Sequence, residues 1–126
     1  MPSLGLLAQA ACIWEATARK PGNVHRHADF DDVGYVDFLM SAAALQEAMT
    51  CAPLLGVGRT VRDAVRDTRR VVRSNTNLGM ILLLAPLAAA ADAECLSLRD
   101  AVGELLTRLD VEDARFVYEA IRLRAT

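Results

Sequence analysis

The stretch from Leu78 to Ala91 constrains this chain most, because its fourteen residues carry no charged or polar side chain. A membrane-crossing helix needs about 20 such residues, and Gly79 and Pro86 interrupt this one. The run therefore predicts a helix buried on all sides by other helices. The remaining composition points the same way. Hydrophobic residues make up 53% and aromatics only 5%, and the apolar share is mainly Ala, Leu and Val. Such side chains suit close-packed helices, whereas sheets favour β-branched and aromatic ones. No segment alternates convincingly at period two, and no repeat or linker breaks the chain. The 126 residues are enough to bury a core. The expectation is an all-α fold, one compact bundle of about six helices with a buried central helix, forming a single domain over residues 1–126.

Helical spacing and punctuation place the elements. A first helix is expected over Leu4 to Arg19, with Leu4, Leu7, Ala8, Ala11 and Ala18 on one stripe and Pro21-Gly22 ending it. Glu15 falls on that stripe, where a carboxylate is costly unless paired, metal-bound or protonated. A second helix is expected over Tyr35 to Ala52, turning Phe38, Leu45, Met49 and Ala52 inward. Its first turn holds Asp37, where negative charge suits the helix dipole. A third is expected from Thr60, with Asp63 as a capping-box-like partner, to Arg73. Residues 59–73 carry six Arg against two Asp. Such a run is most often a solvated face, and otherwise a funnel for an anionic ligand. The apolar run is the fourth helix. Ser97 with Asp100 opens a fifth, with Leu98, Ala101, Val102, Leu105 and Leu109 inward. Asp110 with Asp113 opens a sixth, with Val111, Ala114, Val117 and Ile121 inward.

Several function classes lack support. A net charge of −2 gives no general argument for nucleic acid or a membrane surface. Cys12, Cys51 and Cys95 are odd in number and lack metal-ligand spacing, which reads as small buried thiols in a reducing, cytoplasmic setting. The segment Leu6 to Cys12 loosely resembles a lipoprotein cleavage site, but no positive charge precedes it, so a signal peptide is not expected. There is no GxSxG, Walker A, Rossmann glycine pattern or CxxC.

Polar chemistry concentrates in two places. The first is the loop from Lys20 to Asp32, which holds the chain's one Lys and both His residues. Loops of this kind on a rigid scaffold commonly carry function. Lys20 suits a phosphate, or is an exposed Lys near a helix C-terminus. Asn23 forms a turn or meets a ligand. Asp29, Asp31, Asp32 and Asp37 form an acidic cluster. It suits Mg²⁺ whose octahedron is completed by water and substrate phosphates, although a solvated turn explains Asp31 and Asp32 as well. His25 and His27 fall short of a tetrahedral zinc site; phosphate contact or acid–base work is open to them. The second place is Asn75-Thr76-Asn77, with Gly79, at the start of the apolar helix. A helix N-terminus offers unpaired N–H groups to a phosphate or carboxylate. Capping alone is the simpler explanation, but needs only one such residue.

Taken in order and separation, these residues carry a resemblance. Glu15, Lys20-Pro21-Gly22-Asn23-Val24, Asp29-Phe30, Asp37-Phe38, Ser41-Ala42, Asn75-Thr76-Asn77-Leu78-Gly79 and Leu82-Leu83-Leu84-Ala85-Pro86-Leu87 look like the triphosphoribosyl-dephospho-CoA synthase family. The Asn-Val-His-Arg-His form of the loop is similar to a broader branch of it. The resemblance spans essentially the whole chain and corresponds to the N-terminal half of a longer family domain. It implies an all-helical, ATP-dependent triphosphoribosyl transferase. The ribose-triphosphate of ATP would pass to 3′-dephospho-CoA or a related acceptor, adenine would leave, and Mg²⁺ would be the cofactor. It implies catalytic roles for Glu15 and Asp29, Mg²⁺ contacts for Asp29 and Asp37, and phosphate contacts for Lys20, Asn23, Arg26, Asn75, Thr76, Asn77 and Gly79. Its partners would be nucleotides, with a homo-oligomer or a partner chain supplying further helices. The other class to weigh is a non-catalytic helical module that binds a nucleotide or another subunit.

Overall fold

The computed structural model describes residues 2–18, 34–73, 77–94 and 97–125, with side chains to 123. Every regular element among them is helical: α1 (Leu4–Thr17), α2 (Tyr35–Ala44), α3 (Gln46–Thr50), α4 (Ala52–Leu55), α5 (Val57–Val71), α6 (Leu78–Ala89), α7 (Leu98–Thr107) and α8 (Val111–Ala125). The all-α expectation holds. No helix among the described residues is long and apolar enough to cross a membrane.

Local signals set the ends of several helices. Ser3 Oγ accepts the Leu6 N–H at 3.1 Å and starts α1. Ser97 Oγ accepts from Asp100 N at 3.1 Å and starts α7. Asp110 and Asp113 cap each other's backbone N–H groups, both at 3.1 Å, and start α8. The caps at Ser97 and at Asp110–Asp113 are those expected from sequence, the Ser3 cap is an addition to them, and each contributes about 1 kcal/mol.

Elsewhere tertiary packing overrules the local pattern. The expected second helix is three segments, interrupted at Leu45 and Cys51. Gly5 of α1 lies so close to α3 that a β-carbon there would overlap the Gln46 carbonyl oxygen, and its N–H donates to Thr50 Oγ1 at 2.9 Å. Gly56, at φ 83°, then turns the chain from α4 into α5, a conformation costly for other residues. Because α5 starts at Val57, Thr60 lies inside it rather than at its cap. The Thr60 side chain is fully buried, and Oγ1 is without a partner. Asp63 pairs with Arg62 at 3.0 Å and Arg66 at 3.3 Å instead of capping.

Helix α5 is the hub, touching α2, α3, α4, α6 and α8. Val61 and Val65 from α5 join Leu45, Met49 and Ile81 in a core at most 1% exposed, and burying each such side chain stabilises the fold by about 1.5–3 kcal/mol. Gly58 meets Asp113 and Arg62 meets Phe116, so α5 and α8 run parallel. This docking turns Phe116, Val117 and Ala120 toward α5; of the expected stripe only Val117 packs inward, while Val111 is 69% exposed, Ile121 40%, and Ala114 is exposed too. In α7 only Ala101 of the expected face is buried, while Leu98 and Leu109 are exposed.

Helix α6 departs from the opening expectation as well. Ile81, Ala85, Ala88 and Ala89 are buried, but Leu83 is 61% exposed, and Leu82 and Leu87 are exposed too. Its neighbours cover one side and leave an apolar groove of about 300 Å³ lined by Leu4, Leu7, Leu84, Leu87 and Leu98. The thiols also divide: Cys12 is buried, whereas Cys51 is exposed on the turn between α3 and α4. Cys95 lies outside the described residues.

Candidate functional site

Helix direction brings the polar motifs to one end. Gly5 bonds Thr50, and Gln9, one turn on, bonds Gln46, so α1 runs antiparallel to α3. Followed further, α1 carries Glu15 toward the start of α2, against which it also packs. At the start of α6, the Asn77 side-chain amide donates to the Ser41 carbonyl at 3.3 Å. Ser41 lies one turn beyond Asp37 on the same face of α2. The close of α1, the first turns of α2, the close of α5 and the start of α6 therefore gather at one end. The described residues that flank the two polar motifs, 18 and 34, 73 and 77, belong to it.

Glu15 is partly buried, but beside the buried line of α1 rather than on it. That line is Gly5, Ala8, Cys12 and Ala16. Burial, with the Glu15 carboxylate nearby adding to it, pushes the Cys12 thiol up to about 11. At neutral pH Cys12 is a protonated thiol, a poor nucleophile or metal ligand. Asp37 is partly buried in the first turn of α2.

Asn77 stands at the N-cap of α6 but makes no side-chain cap bond. It is 6% exposed, and its donor is directed across to α2. Two residues on, Gly79 is exposed, and a β-carbon there would meet nothing within 4 Å. No described residue makes the expected close approach at Gly79, and among the described residues space lies open beside the first turn of α6. Of the remaining candidates, Lys20, Asn23, Arg26, Asp29, Asn75 and Thr76 lie outside the described residues, as do His25, His27, Asp31 and Asp32.

Among the described residues no three His, Cys, Asp or Glu side chains sit together as a metal cage. Mg²⁺ does not need one. It is commonly held by one or two carboxylates, with phosphate oxygens and water completing the shell, and Asp37 suits that arrangement.

The basic face of α5 is largely occupied within the fold. Arg59 and Arg62 lie over the Phe116 ring at 5.6 and 4.5 Å. Arg66 and Arg70 reach Asp67 at 3.8 and 3.6 Å. Burial raises Asp67 above the usual carboxylate range, while Arg66 and Arg70 pull it down and Asp63 and Glu47 push it up. A continuous anion funnel is therefore absent among these four arginines.

The described residues form an all-helical domain whose candidate residues Glu15, Asp37 and Asn77 lie toward one end. The family model that matches residues 1–126 is CitG, ATP:dephospho-CoA triphosphoribosyl transferase. The chain belongs to this transferase family. No curated protein and no solved structure matches it.

Proposed function

We propose that this chain transfers the triphosphoribosyl group of ATP to 3′-dephospho-CoA or a related nucleotide acceptor. The bond from the ribose C1′ to adenine breaks, an acceptor hydroxyl oxygen bonds C1′, and the hydroxyl proton leaves to a base. Adenine departs with the electron pair of the broken bond. Positive charge develops on the ribose ring as adenine leaves. A fixed carboxylate lowers the energy of that state, or takes the hydroxyl proton. Glu15 and Asp29 are the candidates for these roles. Lys20, Asn23, Arg26, Asn75, Thr76, Asn77 and Gly79 hold phosphates. Asp29 and Asp37 would hold Mg²⁺ directly or through water, and the ion would supply neutralisation of phosphate charge.

One observation supports this reading above the others. The Asn77–Ser41 bond sets the open first turn of α6 beside the face of α2 that carries Asp37. An anionic tail and a cation would meet there, with Glu15 arriving from α1.

The test is adenine release from ATP by the full chain, with and without dephospho-CoA. Glu15→Gln is expected to lower kcat by about 10²–10⁴-fold, with the helical circular dichroism signal retained. Turnover unchanged in Glu15→Gln would remove Glu15 from the chemistry. ATP binding without adenine release, with every acceptor offered, would leave a nucleotide-binding module in place of a transferase.

A further inference from the structure

We infer that Arg73 is a substrate-binding residue that grips the polyphosphate tail of the nucleotide, an assignment that rests on the transferase reading and deepens it. The other arginines from 59 to 70 are engaged. Arg59 and Arg62 cover Phe116, Arg62 and Arg66 pair with Asp63, and Arg66 and Arg70 pair with Asp67. Arg69 has partners as well. Among the described residues Arg73 has no hydrogen bond, ion pair or ring contact, and it is exposed.

Its position is as informative as its freedom. The helix closes at Val72, where the backbone turns extended (φ −139°, ψ 133°). Val72 is 6% exposed, which anchors the backbone on which Arg73 stands. Four residues on, Asn77 is tied to Ser41. Arg73 thus stands between two fixed points, at the end that also receives Glu15 and Asp37.

The charge balance favours such a group. Glu15 and Asp37 are acids and Asn77 is neutral, so this described trio would repel a polyphosphate. Beside the cations proposed at Lys20 and Arg26, Arg73 adds one on a described, anchored backbone. An arginine offers a planar fork of donors that matches phosphate oxygens and stays charged at any working pH. Sequence reading placed Arg73 in the solvated face of a basic helix. Its distinction appears only once its neighbours along α5 are seen to be engaged.

Steady-state kinetics of adenine release against ATP concentration test this, with dephospho-CoA held saturating. Arg73→Gln is expected to raise the KM for ATP about tenfold, with kcat changed less than about twofold. Arg73→Lys is expected to recover part of that loss. Arg99→Gln removes the same charge from the start of α7, at the far end of α6, and is expected to leave KM unchanged. Inorganic tripolyphosphate should bind the wild-type chain, and bind Arg73→Gln about tenfold more weakly. An unchanged KM in Arg73→Gln, or an equal rise in Arg99→Gln, overturns the assignment. If the wild-type chain releases no adenine, the transferase reading fails. The tripolyphosphate titration then decides on Arg73 alone: weaker binding in Arg73→Gln supports the grip, and equal binding overturns it.

Discussion

Asn77 occupies the position of a helix cap, yet its amide turns from α6 to the Ser41 carbonyl. Both ends of that bond are buried, where a protein–protein hydrogen bond replaces one that water would supply in the unfolded chain. Asn77→Ala should therefore destabilise the fold by about 1 kcal/mol. Asn77→Asp should cost more, because it sets a carboxylate oxygen against a carbonyl oxygen. Urea denaturation with an unchanged slope reads both effects; an unshifted midpoint for Asn77→Ala would show that the bond contributes nothing. The candidate residues Glu15, Asp37 and Asn77 were visible in the sequence as polar groups. Their gathering was not. Nothing local in Ser41-Ala42 announces that a carbonyl there will receive an amide from 36 residues away. The engaged state of the α5 arginines was equally hidden, because Phe116 lies on another helix.

At the scale of elements, the junction of α5 with α8 depends on Gly58 and Asp113. Asp113 Oδ1 accepts the Gly58 N–H at 2.9 Å, while Oδ2 accepts Asp110 N, so one carboxylate caps two helix starts. A β-carbon on Gly58 would stand 2.6 Å from the Asp113 Cα and 2.8 Å from its carbonyl oxygen. In an ordinary helix interior Gly→Ala stabilises by about 1 kcal/mol. Here Gly58→Ala should destabilise by about 1–3 kcal/mol, since backbone atoms must move apart. Asp113→Ala should lose about 2 kcal/mol, both caps together. Thermal unfolding compares the two, and a stabilising Gly58→Ala would contradict the packing. Elements governed by adjacent residues were legible: the starts of α1, α7 and α8. Those governed by distant contacts were not. The break at Leu45 lies next to the approach of α1 at Gln46, whereas the break at Cys51 has a local cause in Pro53. In α8 two apolar faces compete, Val111–Ala114–Ile121 and Phe116–Ala120, and periodicity alone does not say which one α5 will cover.

Across the whole molecule, support is uneven. Among the described residues helix α5 touches five other helices, whereas α7 packs on α6 alone, and α8 on α5 alone. Local opening costs least where few apolar contacts are broken. Native-state hydrogen exchange should therefore release the α7 amides first and those of α5 last; α7 protected as strongly as α5 would refute this ranking. The parallel pairing of α5 with α8 bears on how the polypeptide is made. Gly58 and Asp113 are 55 residues apart, and between them the chain travels out along α5, back along α6 and on through α7. During synthesis, at about 5–20 residues per second, the apolar side of α5 that α8 will cover leaves the ribosome seconds before α8. For that interval the nascent chain carries an unclosed hydrophobic surface at the centre of its fold. Helix α8 is thus the element that ends this exposure to aggregation and to chaperone capture.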